Sequence, residues 1–188
     1  MIIGITGGIA CGKSLITDYL LSHGYYVLDA DKISHEALEK GSPVFKEILS
    51  HFHFKEEIDH KELSKVIFHN SKERKYLESI IHPYVKEKIL AHLEPLTFID
   101  VPLLFETDFY LLCDKIITVK ADRNIQIKRL MERDHMSYQE AVHRISLQMP
   151  ITEKEKCSDY IIDNSGTIEH TYQQINTILG EIKHAISQ

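Results

Sequence analysis

The sequence predicts a doubly wound α/β fold, a parallel five-stranded sheet carrying two helical excursions. Three observations predict it. About five short apolar runs are separated by stretches with helical spacing. The first two runs and the helix between them span roughly thirty residues, the size of a βαβ unit. Four of the chain's 8 glycines, Gly4, Gly7, Gly8 and Gly12, fall in its first twelve residues, so glycine serves one loop and not general flexibility.

Ile2 to Thr6 reads as a buried strand ending in glycines, and a helix is expected from Lys13 to about His23. Gly24 introduces a second strand, Tyr25 to Asp29. Residues 31–95 are polar and helical in pattern, with no convincing strand. Within them Asp59-x-x-Glu62 resembles a capping box, and Pro83 suits the first turn of a helix running to about His92. Strand character returns at Leu96 to Val101 and at Lys115 to Lys120. Asp122 is expected to cap a helix over Ile125 to Arg133, and Ser137-x-x-Glu140 to open another through Leu147, closed by Pro150. Tyr160 to Asp163 is the fifth strand. Thr167 caps a last helix in which Ile168, Tyr172, Ile175, Leu179, Ile182 and Ile186 recur every three or four residues. Residues 1–30, 96–122 and 151–188 therefore form the core, with 31–95 and 123–150 as excursions.

Composition excludes several classes. At 188 residues the chain can bury a real core, and an apolar fraction of 43 % is ordinary for a globular protein. No apolar run approaches the roughly 18 residues of a membrane span. No basic segment precedes the apolar start, so no export signal is read and the cytoplasm is expected. A net charge of −6 disfavours general nucleic-acid binding, and no obligate protein partner is evident. Cys11, Cys113 and Cys157 are too far apart for a disulfide framework or metal spacing. The densest of the 12 histidines, His51 and His53 with His60, lack a ligating arrangement and read as surface residues.

Gly7 to Ser14 fits G-x-x-x-x-G-K-[ST] at every fixed position, between a strand and a helix as its mechanics require. In such a loop backbone N–H groups turn inward around nucleotide phosphates, and the helix N-terminus faces the same charge. Lys13 would reach the β/γ-oxygens and Ser14 would place its hydroxyl on Mg²⁺. No N-K-x-D base-reading motif accompanies it, and the D-x-x-G match at Asp163 to Gly166 falls after the last strand, which argues against a switch GTPase. Asp31, just beyond the second strand, either accepts the proton of an acceptor hydroxyl or only caps the next helix. Asp100 ends a strand as a carboxylate near Mg²⁺ does. Arg123, Arg129, Arg133 and Arg144 form either a mobile lid that closes over a transferring phosphoryl group or a solvated basic face.

These residues resemble the dephospho-CoA kinase family along most of the chain. The resemblance is carried by Thr6 to Ser14, the Asp29-Ala30-Asp31 triplet, the His82-Pro83 pair and the D-x-P-L-L-F-E segment Asp100 to Glu106. It continues through R-x-x-x-R-D at Arg129 to Asp134, R-I-x-x-Q at Arg144 to Gln148 and D-Y-x-I-D-N-x-G at Asp159 to Gly166. It implies a P-loop kinase that uses ATP and Mg²⁺ to phosphorylate the ribose 3′-hydroxyl of dephospho-CoA. It implies catalytic roles for Lys13, Asp31, Arg129, Arg133 and Arg144 and nucleotide contacts from Gly8, Ile9, Ala10, Cys11, Gly12, Lys13, Ser14 and Asn164, the last beside adenine. It implies substrate contacts from Asp31, His82, Pro83, Leu103 and Glu106, and Mg²⁺ held by Ser14 and, through water, Asp100. Region 31–95 then binds substrate and 123–150 is the lid.

Two residues depart from the family pattern. Cys11 stands where serine is usual, and a thiol at a helix N-terminus is expected to have a lowered pKa and to make activity oxidant-sensitive. His60 stands where arginine is frequent and would hold a substrate phosphate less firmly. The alternatives are another small-molecule kinase, such as a nucleoside monophosphate kinase, and a regulatory module that binds ATP without an acceptor.

Overall fold

The computed structural model describes residues 1–187. Five strands are present: β1 (Ile2–Gly7), β2 (Tyr26–Asp29), β3 (Thr97–Asp100), β4 (Lys115–Lys120) and β5 (Tyr160–Asp163). They form one sheet in the order β2-β3-β1-β4-β5. β1 runs parallel to both β3 and β4, and β4 parallel to β5. Apolar alternation is absent from these strands because the central ones are covered on both faces. Ile3, Ile5, Phe98, Ile117, Val119 and Ile162 pack in one core with Ile16 and Leu20 of α1 (Lys13–Ser22). That core also takes Ile175, Leu179 and Ile182 of α9 (Ile168–Ile186), capped as expected by Thr167.

The chain divides into two compact units, Met1–Leu28 with everything from Glu94 onward, and Asp29–Leu93. The second unit holds α2 (Ala30–Glu36), α3 (Phe45–His51), α4 (His60–His69) and α5 (Ser71–Ala91). Its own core gathers Ile48, Ile58, Leu63 and Leu77. Asp59 caps α4 by accepting from the Lys61 and Glu62 N–H groups. Pro83 does not start a helix: it lies inside α5. The helix already begins at Asn70, whose side chain accepts from the Lys72 and Glu73 N–H groups. Burial of Leu77, Tyr84, Val85 and Ile89 on this long helix outweighs the one backbone bond that proline removes.

After β4 come α6 (Arg123–Asp134), α7 (Tyr138–Ser146) and α8 (Ile151–Lys156), all in the first unit. Asp122 occupies the N-cap of α6 without a side-chain capping bond; its backbone N–H donates instead to Ser165 Oγ at 2.8 Å. Pro150 does not close the region but leads into α8, which its short length hid from periodicity. Ile127, Leu130 and Ala141 form a small core joined by Ile9 and Ala10 of the loop after β1.

The capping box of α7 is complete: Glu140 N–H donates to Ser137 Oγ, and Ser137 N–H donates to the Glu140 carboxylate. The Ser137 hydroxyl, which donates to the same carboxylate at 2.7 Å, and then the Ser137 N–H hold the Glu140 carboxyl below its usual range. Its contribution is therefore whole above the ordinary glutamate pKa and is lost as pH falls through the lowered value. Ser137→Ala should cost α7 about 1 kcal/mol. The expected result is faster amide hydrogen exchange over residues 138–146 at neutral pH, with little change in α9.

Candidate functional site

The loop between β1 and α1 turns because Ala10 and Gly12 take left-handed backbone conformations, with φ of 59° and 85°. Alternation of this kind makes a nest of N–H groups. A side chain at Gly12 would be strained and would run into Asn164 Nδ2, and a Cβ at Gly8 would lie 2.7 Å from Gln126 Nε2. Close approach disfavours a side chain at both positions, and the left-handed φ adds a second requirement for glycine at Gly12.

Three consecutive carbonyls of the loop are turned outward, each onto a side chain from elsewhere. Ile9 O accepts from Gln126 Nε2 at 2.9 Å, Ala10 O from Arg129 at 3.3 Å, and Cys11 O from Asn164 Nδ2 at 2.8 Å. Of the N–H groups on the other side of these peptides, that of Cys11 donates to Gly8 O at 3.1 Å, and those of Ala10 and Gly12 face inward. Those of Ala10, Gly12, Lys13 and Ser14 donate to no protein acceptor among the described residues. The loop borders a cavity of about 640 Å³ with Pro102, Arg129, Glu132, Arg133 and Gln148. Unpaired inward amides at a helix N-terminus, with Lys13, Arg129 and Arg133 alongside, fit a polyphosphate.

Lys13 is ion-paired with Asp100, which ends β3 and is 7 % exposed. Parallel pairing of β1 and β3 puts Asp100 opposite Ile5, two strand positions before the loop, and so within reach of Lys13. Arg133 makes a bidentate pair with Asp134 at 2.7 and 2.9 Å, and Arg144 lies 4.0 Å from the same carboxylate. These guanidinium groups, Arg133 above all, hold the Asp134 carboxyl below its usual range. Arg144 does not line the cavity, whereas Arg129 and Arg133 do. Ser14 is exposed at the first turn of α1.

Other expected residues are placed differently. Asn164 is buried and spends its side chain on Cys11 O and on the Thr171 hydroxyl, which donates to Asn164 Oδ1 at 3.0 Å. It braces the loop from behind. The Glu106 carboxylate meets Lys154, an amine with no solvent exposure, at 2.9 Å, and also accepts from Met149 N–H. Lys154 donates in addition to Pro102 O at 3.3 Å. Leu103 is 44 % exposed. Asp31, His82 and Pro83 belong to the second unit: Asp31 is exposed in the first turn of α2, and His82 and Pro83 lie on α5. The His35 ring stacks with that of His60 at 6.3 Å, and His51 is no plain surface residue: it bonds Glu73 at 2.6 Å and stacks on Tyr76. Among the described residues no group of three or more His, Cys, Asp or Glu side chains could hold a metal ion.

The expectation for Cys11 is overturned. Its thiol has no solvent exposure, accepts from Gln126 Nε2 and sits in the main core. Burial pushes its pKa up, outweighing the lowering by hydrogen bonds and Arg129. A neutral buried thiol is not the oxidant-sensitive group that the position suggested.

Sequence reading does not single out Gln126 or Lys154, and it marks Asp134 and Gln148 only as ends of family motifs, with no role attached. The regular spacing of Gln126 and Arg129, three apart on α6, was the available signal. A buried lysine in a charged run such as Lys154 to Lys156 leaves none.

A family profile for dephospho-CoA kinase matches residues 1–170. The chain belongs to the dephospho-CoA kinase family. A dephospho-CoA kinase of Carboxydothermus hydrogenoformans is 40 % identical, with 97 % of this chain and 94 % of that one covered. A dephospho-CoA kinase structure from Campylobacter jejuni superposes with a TM-score of 0.74 at 31 % identity, covering 98 % of each chain. A Thermus thermophilus structure reaches 0.81 at 31 % identity, covering 96 % of this chain and 97 % of that one. The dephospho-CoA kinase family makes the protein an enzyme, a nucleotide-using kinase. It also gives the phosphate loop its fold context, a five-stranded parallel sheet flanked by helices.

Two outcomes are expected. Cys157 is exposed while Cys113 is half-buried with its thiol pushed up to about 12, so a thiol reagent should label one site quickly and Cys157→Ser should abolish that phase. Glu106→Leu should destabilise the protein by about 3–5 kcal/mol in urea unfolding because it strands the buried Lys154 ammonium, and adding Lys154→Met should restore most of the loss.

Proposed function

We propose that this chain transfers the terminal phosphoryl group of ATP to the ribose 3′-hydroxyl of dephospho-CoA, the last step of coenzyme A synthesis, in the cytoplasm. The observation that carries the reading is the set of unpaired amides of Ala10, Gly12, Lys13 and Ser14, beside the outward-pinned Ile9, Ala10 and Cys11 carbonyls. Membership of the family supplies the acceptor.

Lys13 exchanges the Asp100 carboxylate for β/γ-phosphate oxygens, and the freed Asp100 would be a holder of Mg²⁺ through water. The Ser14 hydroxyl and the Asp100 carboxylate are hard oxygen donors and suit that ion. When bound with the nucleotide, Mg²⁺ supplies charge neutralisation between phosphates. Arg129 holds the loop in shape and borders the cavity. Arg133 and Arg144 lie with Asp134 and move toward the transferring group when region 123–150 closes as a lid. Asp31 accepts the hydroxyl proton; its support is its place two residues beyond the end of β2 and the triplet shared with the family. Residues 31–95 form the substrate region, with His82 and Pro83 among its contacts. Exposed Leu103 offers apolar surface to the substrate, and Glu106 acts by fixing the segment that bears it. Rate then comes from positioning and electrostatics.

Asp31→Asn should lower kcat by about 10²–10⁴-fold, with ATP affinity by calorimetry nearly unchanged. ADP release should require dephospho-CoA; equal release with AMP, or with no acceptor, would overturn the assignment. Normal turnover of Asp31→Asn would remove that residue from the mechanism.

A further inference from the structure

The Ile9 backbone is gripped at both its polar groups by glutamines of region 123–150. Gln126 Nε2 donates to its carbonyl at 2.9 Å, and its N–H donates to Gln148 Oε1 at 2.7 Å. The second bond settles which end of the Gln148 amide faces which way: an N–H donor must meet the oxygen, so the NH₂ group points elsewhere. Gln148 Nε2 donates to no group among the described residues. Gln148 also lines the 640 Å³ cavity with Lys13, Arg129 and Arg133.

We propose that Gln148 is a phosphate-binding residue, locked by its oxygen to the Ile9 N–H so that its Nε2 donates to the nucleotide's phosphates. The inference rests on reading this cavity as the ATP site.

The backbone around Gln148 is held on both flanks. Its own N–H donates to Ile145 O at 3.3 Å, and the next residue, Met149, donates to the Glu106 carboxylate at 3.0 Å. Glu106 is fixed in turn by buried Lys154. The side chain is therefore ordered before ligand arrives, and little rotamer entropy remains to be lost on binding. A neutral donor also has a reason to be glutamine. Glutamate could accept from Ile9 N–H equally well, but it would add a negative charge beside Glu132 in a cavity built for phosphate.

Gln148→Glu separates the two ends of the amide, since it keeps the acceptor for Ile9 and replaces the donor. ATP binding is measured by titration calorimetry without acceptor, so turnover does not enter, and each affinity is compared with wild type at the same pH. Gln148→Glu should retain the wild-type melting temperature yet bind ATP roughly ten- to a hundredfold more weakly at pH 7.5. Near pH 4, just below the ordinary glutamate pKa of about 4.3, most of the carboxyl is protonated and regains an O–H donor, and most of the loss should disappear. Gln148→Met should be weakened about tenfold at both pH values. Wild-type affinity in Gln148→Glu at pH 7.5, or a loss that does not recover in acid, would reduce Gln148 to a loop anchor and overturn the proposal. If Gln148→Glu proves unstable, a Gln148→Met variant binding ATP as wild type would overturn it equally. Failure of the wild-type protein itself to bind ATP would instead sink the nucleotide-site reading.

Discussion

Everything at this site depends on three peptide units being turned one way. A backbone amide can offer its N–H to an anion only if its carbonyl has somewhere else to go. Here the Ile9, Ala10 and Cys11 carbonyls go to Gln126, Arg129 and Asn164. Gln126 and Arg129 come from one face of α6, and Asn164 follows the end of β5. The sheet and the α6 packing thus matter because they deliver these three donors to one turn. Such preorganisation is what an electrostatic catalyst needs, since no dipole has to reorient when charge shifts.

Around the cradle, cations are kept in company. Lys13 lies with Asp100, Arg133 and Arg144 lie with Asp134, and Lys154 lies with Glu106. The first two groups are partly accessible, and their carboxylates spare the site the repulsion of clustered positive charge. The third is different. Lys154 is fully buried and ties the 102–106 segment to α8, so its charge works as a rivet and not as a ligand.

Much of this was legible from residues alone. Strand limits at Lys115–Lys120 and Tyr160–Asp163 coincide with the apolar runs, and Ser137 and Thr167 cap as their types require. Local chemistry decides those features. Pro83 and Cys11 misled for one reason: each was read by its local rule, and tertiary packing overrode it. A long helix carried the proline, and the core took the thiol. Asn164 was marked by its motif, but its role is set by Cys11 and Thr171, which only the folded chain brings to it.

The bond from Asn164 to the Cys11 carbonyl joins residues 153 positions apart. Ribosomal synthesis delivers the glycine loop well before α6 and Asn164. A nascent chain that has emerged only as far as β4 carries the loop's sequence without its shape, because neither α6 nor the turn after β5 yet exists. The cradle's shape thus rests on contacts of long sequence separation, which form only once α6 and the turn after β5 have been made.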